Sequence, residues 1–190
     1  MGYAQAITRM TTAEFIAWED TQADKHEFLA GEVYAMVGAR RVHVAVSLNI
    51  ASLLKTHLRG GPCRAYMADM KVEVKLAQAV FYPDMLVTCH PEDLRAETVM
   101  HHPKVIIEVL SEATAAYDRG AKFAAYRQLD SLEEYALIDP DRRTIEVYRR
   151  MPGGDWLLAA SEAGQGLILK SLGFKAALAA VFEDVDRGDA

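Results

Sequence analysis

The hydrophobic and polar positions along the chain change their period several times, and each pattern predicts an element. Residues 105–110 are apolar and mostly β-branched except for one acid, Glu108, which is typical of a strand buried on both faces. Residues 70–76 alternate apolar and polar side chains, so we expect a strand whose lysines and Glu73 face solvent. Apolar positions at helical spacing predict a core-facing helix over residues 43–58.

Shorter elements flank this central part of the chain. The sequence Thr11-Thr12-Ala13-Glu14 fits a capping box at the start of a helix, and the segment HEFLAGEVYAM predicts a hairpin that turns near Ala30-Gly31. Farther along, a turn separates predicted strands at 134–138 and 144–148. A short helix is expected at 176–185.

Two carboxylates stand out because each belongs to a strand that is otherwise apolar. Glu108 interrupts the long apolar run, and Asp84 follows Pro83 at the start of a second run, residues 85–87. Burying a carboxylate is expensive unless it is paired, hydrogen-bonded or bound to a metal. Two such acids are natural ligands for a hard divalent cation, which takes oxygen donors.

A predicted helix could bring a lysine to these acids. We place this helix from about Asp118, which can cap it, to Leu129, and Phe123 and Tyr126 give it a face that packs on the sheet. Lys122 is one turn from both Asp118 and Tyr126, so it lies on or beside the packed face. Its ammonium could therefore reach the ends of the strands that carry the two acids.

Several stretches of the chain together resemble a known family. They are KHEFLAGEVYAM, the helix opened by His43, YPDMLV, IIEVLSEAT, YDRGAKFAAYRQL, SLEEYALIDP and a late W…SLG pattern, and they span about Thr11 to Val185. In this order and spacing they resemble the Uma-two family of restriction-endonuclease-like proteins, within the PD-(D/E)XK nuclease superfamily. Each motif is short, so the resemblance depends on their order and spacing.

The resemblance implies both a fold and an activity. The fold would be α/β, a mixed sheet flanked by helices, in a restriction-endonuclease-like single domain over residues 1–190. An N-terminal helix and hairpin would occupy about 11–36, the nuclease core about 42–150, and a C-terminal hairpin and helix about 151–185. The implied activity is that of an Mg²⁺-dependent endonuclease acting on DNA, with Mn²⁺ as a substitute ion. Analogy with nucleases that cut both strands suggests a homodimer.

The resemblance also assigns roles to individual residues. It implies that Asp84 and Glu108 are metal ligands and that Lys122 is the catalytic lysine. The superfamily usually carries its lysine two residues after the second acid, but Leu110 occupies that position here, and the family is thought to place the lysine on the following helix. Lys104 shares a strand face with Glu108 but lies roughly 13 Å away along the strand.

An early acid is a further candidate, because related nucleases often use one for an extra metal or water contact. Glu27 and Glu32 both lie on the predicted hairpin, and we favour Glu32, although either could be a solvated hairpin charge. Arg40 and Arg41 precede a helix and could contact a phosphate at its N-terminus, or belong to a solvated turn. His43 could approach the site or have a structural role.

Composition and charge narrow the class of protein. A length of 190 residues with 51% hydrophobic residues fits one domain with a substantial core. The net charge of −6 argues against a protein that coats nucleic acid through a broad positive surface, although bound divalent ions would reverse the charge of an acidic site. No segment reaches transmembrane length and the first residues lack the apolar run of a signal peptide, so we expect a cytoplasmic protein without a membrane partner.

The cysteine and histidine patterns do not indicate a zinc site. Cys63 and Cys89 are not in a C-x-x-C arrangement, and we expect neither a disulfide framework nor zinc ligation. His101 and His102 are adjacent, and adjacent side chains of an extended chain point to opposite sides. They are therefore poor joint ligands for one metal.

Two functions from different classes are open at this point. In the first, the protein is an endonuclease in which Lys122 orients the attacking water and offsets negative charge in the transition state. In the second, it is a non-catalytic nucleic-acid-binding or assembly module that keeps the nuclease fold, with Glu108 bridged to Lys122 as a paired core acid. Stabilisation by Mg²⁺ or Mn²⁺ would favour the first function.

Overall fold

The computed structural model describes residues 10–160 and 165–185 and combines three sheets with helices. Within these residues the strands are β1 (His26–Leu29), β2 (Glu32–Ala35), β3 (Arg64–Met67), β4 (Lys71–Val74), β5 (Ala79–Phe81), β6 (Met85–Thr88), β7 (Val99–Met100), β8 (Pro103–Val109), β9 (Glu134–Asp139), β10 (Thr144–Arg150), β11 (Trp156–Ala160), β12 (Leu167–Leu169) and β13 (Phe174–Ala176). The helices are α1 (Thr12–Glu19), α2 (Arg41–His57), α3 (Ala115–Tyr117), α4 (Phe123–Tyr126) and α5 (Leu178–Val181), and a π-helical turn (Asp118–Lys122) joins α3 to α4.

The largest sheet has six strands in the order β11-β10-β9-β8-β6-β3. β8 lies within it, parallel to β9 and antiparallel to β6, and nearly all of its residues are buried. The apolar run predicted at 105–110 is therefore a central strand, as its pattern indicates. A second sheet has five strands in the order β2-β1-β5-β4-β7, and β12 pairs with β13 in a separate ribbon.

Two hydrophobic cores lie on opposite faces of β8. Val105, Ile107 and Val109 join a core that includes α2. Ile106, and Leu110 just after the strand, join a core shared with α4 and the five-stranded sheet. Successive side chains of a strand point to opposite faces, so Glu108 lies on the same face as Ile106 and Leu110. It therefore faces the helical segment that carries Lys122.

The strand predicted to have a wet face is buried instead. In β4, Lys71 and Glu73 are only 5% and 8% exposed. The N-terminal helical segment covers them, because Lys71 Nζ lies 2.6 Å from a carboxylate oxygen of Asp20 and the Thr12 hydroxyl donates a hydrogen bond to Glu73. The prediction that these side chains face solvent was wrong. Alternating apolar and polar residues show that a strand has two different faces, but they do not show whether another segment covers the polar face.

The predicted helices are observed with different limits. α3, the π-helical turn and α4 together cover 115–126, so the helical segment begins earlier and ends earlier than expected and contains one widened turn. The helix expected at 176–185 is confined to α5, because β13 occupies its first residue. The capping box of α1, formed by Thr11 and Glu14, is confirmed. Among the described residues, no helix has the length and apolar character that crossing a membrane requires.

A disulfide bond joins Cys63 to Cys89, so the expectation of unlinked cysteines was wrong. The two cysteines flank the antiparallel pair of β3 and β6, in which Arg64 lies opposite Thr88. Strand pairing brings them together across a separation of 26 residues, and no short sequence motif marks such a contact.

Candidate functional site

A cavity of about 500 Å³ opens where the end of β8 meets the start of β6. Its wall includes four carboxylates, one lysine and one histidine, supplied by the N-terminal hairpin, both strands, the π-helical turn and α2. These residues are Glu27, Asp84, Glu108, Asp118, Lys122 and His43. The fold thus collects ionisable groups that are far apart in the sequence.

Asp84 and Glu108 are brought together by the pairing of β6 with β8. Met85 lies opposite Ile107 in this antiparallel pair, so the residues just beyond them on each strand are neighbours. The backbone N–H of Asp84 donates to Glu108 Oε2 at 3.1 Å, and the backbone N–H of Val109 donates to Asp84 Oδ2 at 2.7 Å. The two acids singled out from the sequence therefore line one cavity.

Lys122 lies deep in the same cavity and is 5% exposed. Its Nζ is 2.8 Å from Glu27 Oε1, 3.0 Å from Glu108 Oε1 and 3.8 Å from Asp118 Oδ1. The π-helical turn carries both Lys122 and Asp118 and directs them towards β8. The helix lysine thus reaches a strand acid, as the sequence predicts.

Burial and charge shift the pKa values of these groups. Burial raises the pKa of the Glu108 carboxyl well above its usual value, against the attraction of Lys122, and burial also raises the pKa of Asp118. Burial alone would lower the pKa of Lys122, but the charges of Glu108 and Glu27 outweigh it and raise that pKa well above its usual value. The ammonium is therefore held in its charged form.

His43 reaches the cavity from the first turn of α2. Its Nε2 lies 3.1 Å from Asp84 Oδ2. Burial alone would lower the pKa of His43, but the hydrogen bond to Asp84 and the charge of that carboxylate outweigh burial and raise the pKa. His43 can therefore hold a proton beside Asp84 and orient its carboxylate.

Negative groups outnumber positive groups in the cavity. Six carboxylates line the cavity, and the four of them that contact Lys122 or His43 face a single lysine, or a lysine and a protonated His43. Arg40 also lines the cavity, but its guanidinium is paired with Asp141. Among the described residues, these four carboxylates thus share one lysine and one histidine. Such sharing is costly for groups removed from water, as the raised pKa values of Glu108 and Asp118 reflect.

The donor set fits a hard divalent cation. Asp84 and Glu108 supply carboxylate oxygens to one cavity, and Mg²⁺ requires only one or two carboxylates because it keeps several of its waters. Oxygen donors suit Mg²⁺ or Mn²⁺ better than metals that prefer sulfur or imidazole. An ion of charge +2 would also offset the excess of carboxylates.

The early acid in the cavity is Glu27 and not Glu32. Glu27 is 8% exposed, and its Oε1 accepts a hydrogen bond from the backbone N–H of Tyr82 at 3.1 Å. Glu32 is exposed, is absent from the cavity wall and accepts a hydrogen bond from the Tyr34 hydroxyl. In the hairpin Glu27 lies opposite Tyr34, whereas Glu32 lies opposite Leu29 beside the turn. The structure therefore brings Glu27, and not the favoured Glu32, to the cavity.

Two tyrosines belong to the site, and sequence reasoning identified neither, beyond the helical spacing of Tyr126. The Tyr126 hydroxyl donates to Glu108 Oε1 at 3.2 Å. The Tyr117 hydroxyl lies at the cavity wall, buried and without a hydrogen-bond partner among the described residues. Burial and the charge of Glu27 raise the pKa of Tyr117. Buried hydroxyls normally have partners, so this one marks a place for water or a substrate oxygen.

Two proteins of Synechocystis sp. (strain ATCC 27184 / PCC 6803 / Kazusa) are similar to the chain over most of its length. Uncharacterized protein slr1290 is 34% identical over 174 residues, which cover 92% of each chain. Uncharacterized protein sll1609 is 30% identical over 151 residues, which cover 78% of this chain and 85% of that protein.

The fold is similar to a crystal structure described as a putative nuclease belonging to DUF820 from Anabaena variabilis ATCC 29413. The TM-score is 0.74, and the match covers 91% of this chain and 97% of that chain at 17% sequence identity. This likeness confirms the predicted α/β, restriction-endonuclease-like fold. The model of the family described as "Uma2: Putative restriction endonuclease" matches residues 12–180. The chain therefore belongs to the Uma2 family, which is the Uma-two family that its motifs resemble.

Proposed function

We propose that this protein is a metal-dependent endonuclease that hydrolyses phosphodiester bonds in DNA. Membership of the Uma2 family supports a nuclease. The observation that carries the metal dependence is the surplus of carboxylates around one buried lysine. A cavity built in this way is costly for a purely structural domain and is suited to binding a divalent cation.

Asp84 and Glu108 would hold the ion, Mg²⁺ with Mn²⁺ as a substitute. When bound, the ion would polarise the scissile phosphate and lower the pKa of the attacking water. Support comes from the hydrogen bonds that orient both carboxylates, from the backbone N–H of Val109 to Asp84 and from the backbone N–H of Asp84 to Glu108. His43 would help to orient the same Asp84 oxygen, Oδ2, through its Nε2 contact.

Lys122 would supply a fixed positive charge beside the substrate phosphate. Its ammonium would orient the attacking water and offset the negative charge that builds on the phosphate oxygens in the transition state. Glu27 and Asp118 would keep the ammonium in place, as their distances of 2.8 and 3.8 Å suggest. Both acids are buried, so they hold this position without competition from bulk water.

Plasmid nicking tests the assignment. The wild-type protein should convert supercoiled DNA to the nicked form in Mg²⁺ or Mn²⁺, and Asp84→Asn and Glu108→Gln should each lower the rate by about 10²-fold or more. Glu133→Gln is a matched control, because Glu133 is an exposed acid that pairs with Lys104 outside the cavity. Unchanged activity in the Asp84 and Glu108 variants would reject the proposal.

One observation favours a second function. The distance of 3.0 Å between Lys122 and Glu108 is also what a paired structural acid would show in a nucleic-acid-binding or assembly module without turnover. Thermal unfolding separates the two functions. Mg²⁺ or Mn²⁺ stabilises the folded protein by mass action if it binds the site, and it has no such effect if Glu108 is only a paired structural acid. An unfolding temperature that neither Mg²⁺ nor Mn²⁺ changes would favour the module.

The homodimer and the cytoplasmic location stay predictions. Sedimentation equilibrium of the intact chain tests the first, and a single species at the monomer mass over a wide concentration range would reject it. Fractionation of cells that express the chain tests the second.

A further inference from the structure

We propose that His90, Glu92 and His102 form a second metal site, for a borderline transition-metal ion of the Zn²⁺ class. One ligand atom from each of the three residues lies within 4.8 Å of the others. Imidazole nitrogens suit Zn²⁺, Co²⁺, Ni²⁺ and Cu²⁺, whereas hard ions such as Mg²⁺ prefer oxygen donors. The donor chemistry therefore differs from that of the acidic cavity.

The two histidines come from different chain segments that a buried hydroxyl ties together. The Thr88 hydroxyl donates to the carbonyl oxygen of His102 at 3.0 Å and accepts from the backbone N–H of His90 at 3.1 Å. Thr88 is fully buried, and it lies opposite Pro103 in the pair of β6 and β8. The backbone positions of both histidines are thus fixed by strand pairing.

A buried carboxylate supports one of the imidazoles. Asp93 is 1% exposed, and its Oδ2 accepts from the backbone N–H of His102 at 2.9 Å, while its Oδ1 lies 3.4 Å from His102 Nδ1. A carboxylate behind the Nδ1 of a histidine is the usual support of a metal ligand, because it orients the ring and makes the other nitrogen a better donor. His102 Nε2 is then the ligand atom.

The rings would open when the ion binds. The centroids of the His90 and His102 rings are 3.9 Å apart with planes at 20°, and each nitrogen lone pair lies in the plane of its own ring. Zn²⁺ binds nitrogen at about 2.0–2.1 Å, so tetrahedral donors lie about 3.4 Å apart. With the His102 ring held by Asp93, a rotation of the half-buried His90 ring and of the exposed Glu92 side chain would bring the donors to that spacing.

The proposed site lies at the opposite end of β6 from the acidic cavity. Asp84 precedes this strand and His90 follows it, which separates the two sites by roughly 20 Å. The bound ion would clamp the loop after β6 to the segment that enters β8. It would therefore stabilise the fold without touching the cavity.

The adjacent His101 and His102 do not share the proposed site, in agreement with their sequence spacing. His101 Nδ1 instead lies 3.4 Å from Glu73 Oε2. The partner of His102 is His90, twelve residues earlier, and the pairing of β6 with β8 brings the two rings together. Sequence spacing alone does not show this contact.

Calorimetric titration of the untagged full chain with Zn²⁺, in excess Mg²⁺ to occupy the acidic cavity, tests the proposal. We expect one Zn²⁺ per chain and binding at least tenfold weaker in His90→Gln and in His102→Gln. His57→Gln is the matched control, because His57 is not part of the cluster and its Nε2 contacts the Leu172 carbonyl, and it should leave the affinity unchanged. A Zn²⁺ affinity of the His90 and His102 variants equal to that of the wild type would overturn the proposal.

Two further measurements keep the test decisive if a histidine variant does not fold. Glu92 is exposed, so Glu92→Gln should fold and should weaken Zn²⁺ binding about tenfold, and an unchanged affinity would overturn the proposal. The visible spectrum of the Co²⁺-loaded wild-type chain should report nitrogen ligation. A spectrum of oxygen ligands alone, or Zn²⁺ binding that disappears in Asp84→Asn and persists in His102→Gln, would assign the ion to the acidic cavity instead.

Discussion

Replacing Lys122 by methionine would remove the one lysine that the described residues supply to the acidic cavity, while keeping the length of the side chain. Glu27 and Glu108 would lose the ammonium that now lies 2.8 and 3.0 Å from them, and both acids are more than nine-tenths buried. Removing one partner of a buried ion pair costs about 3–5 kcal/mol, because a charge is left buried without compensation. At roughly 2–4 °C for each kcal/mol in a chain of this size, the expected fall in unfolding temperature is roughly 6–20 °C.

Urea denaturation with EDTA measures this loss directly. Lys104→Met is the matched control, because Lys104 is a partly exposed lysine whose partner, Glu133, is 48% exposed. Such a surface pair contributes about 0–1 kcal/mol. The proposed metal site adds a second expectation, since Mg²⁺ at a hundred times its Kd would stabilise a binding site by about 2.7 kcal/mol. A given Mg²⁺ concentration should stabilise the Lys122 variant more than the control, because removing the ammonium leaves a more negative cavity.

Two results would contradict the predictions for Lys122→Met. The first is a free energy of unfolding for Lys122→Met within about 1 kcal/mol of that for Lys104→Met, because a difference that small is what an exposed ion pair contributes. The second is equal stabilisation of both variants by Mg²⁺, which would mean that the lysine and the ion do not share the same carboxylates.

Three further changes test single groups of the cavity. Glu27→Gln should slow plasmid nicking at least tenfold, because Glu27 contacts Lys122. Glu32→Gln should leave the rate unchanged, because Glu32 contacts Tyr34 instead. Tyr117→Phe should keep or slightly raise the unfolding temperature, since it removes a buried hydroxyl that has no partner in the described part of the chain, yet it should lower kcat in the nicking assay. A clear loss of stability would contradict the structure. Glu108→Gln should flatten the pH dependence of the free energy of unfolding in metal-free protein. Because the pKa of Glu108 is raised in the folded state, that state binds more protons than the unfolded state above pH 4.5. The free energy of unfolding therefore falls as pH rises towards the pKa of the folded state, by at most about 1.4 kcal/mol per pH unit. Equal pH slopes in urea melts of the wild type and Glu108→Gln would contradict this prediction.

The strand acids could be found from the sequence because their signal is local. Glu108 breaks an apolar run and Asp84 starts another, and the high cost of burying a carboxylate makes such positions conspicuous. Lys122 could be placed by helical spacing, because any helix that packs on the sheet through Tyr126 also directs the residue one turn earlier inwards. Each of these residues could be identified from the pattern of its own segment alone.

The features that the sequence did not show depend on pairing between distant segments. The choice between Glu27 and Glu32 depends on the register of a hairpin, in which both acids point to the same face and only one is far enough from the turn to reach Lys122. The contact of Cys63 with Cys89 likewise requires β3 to pair with β6. Register and pairing are set by the packing of the whole sheet, so no local pattern contains them.

The lysine of the cavity comes from the helical segment and not from β8. Under the proposed mechanism, catalysis would therefore depend on how two layers of the protein fit together. The Tyr126 ring meets the Phe81 ring edge to face at 4.9 Å, and Lys122 Nζ lies 5.6 Å from the same Phe81 ring. A substitution that loosens this aromatic contact would let the helix drift while both strand carboxylates stayed in register. If the proposed function holds, such a variant would still take up its ion and yet turn over slowly, so substitutions in this aromatic contact would change the catalytic rate separately from the ion affinity.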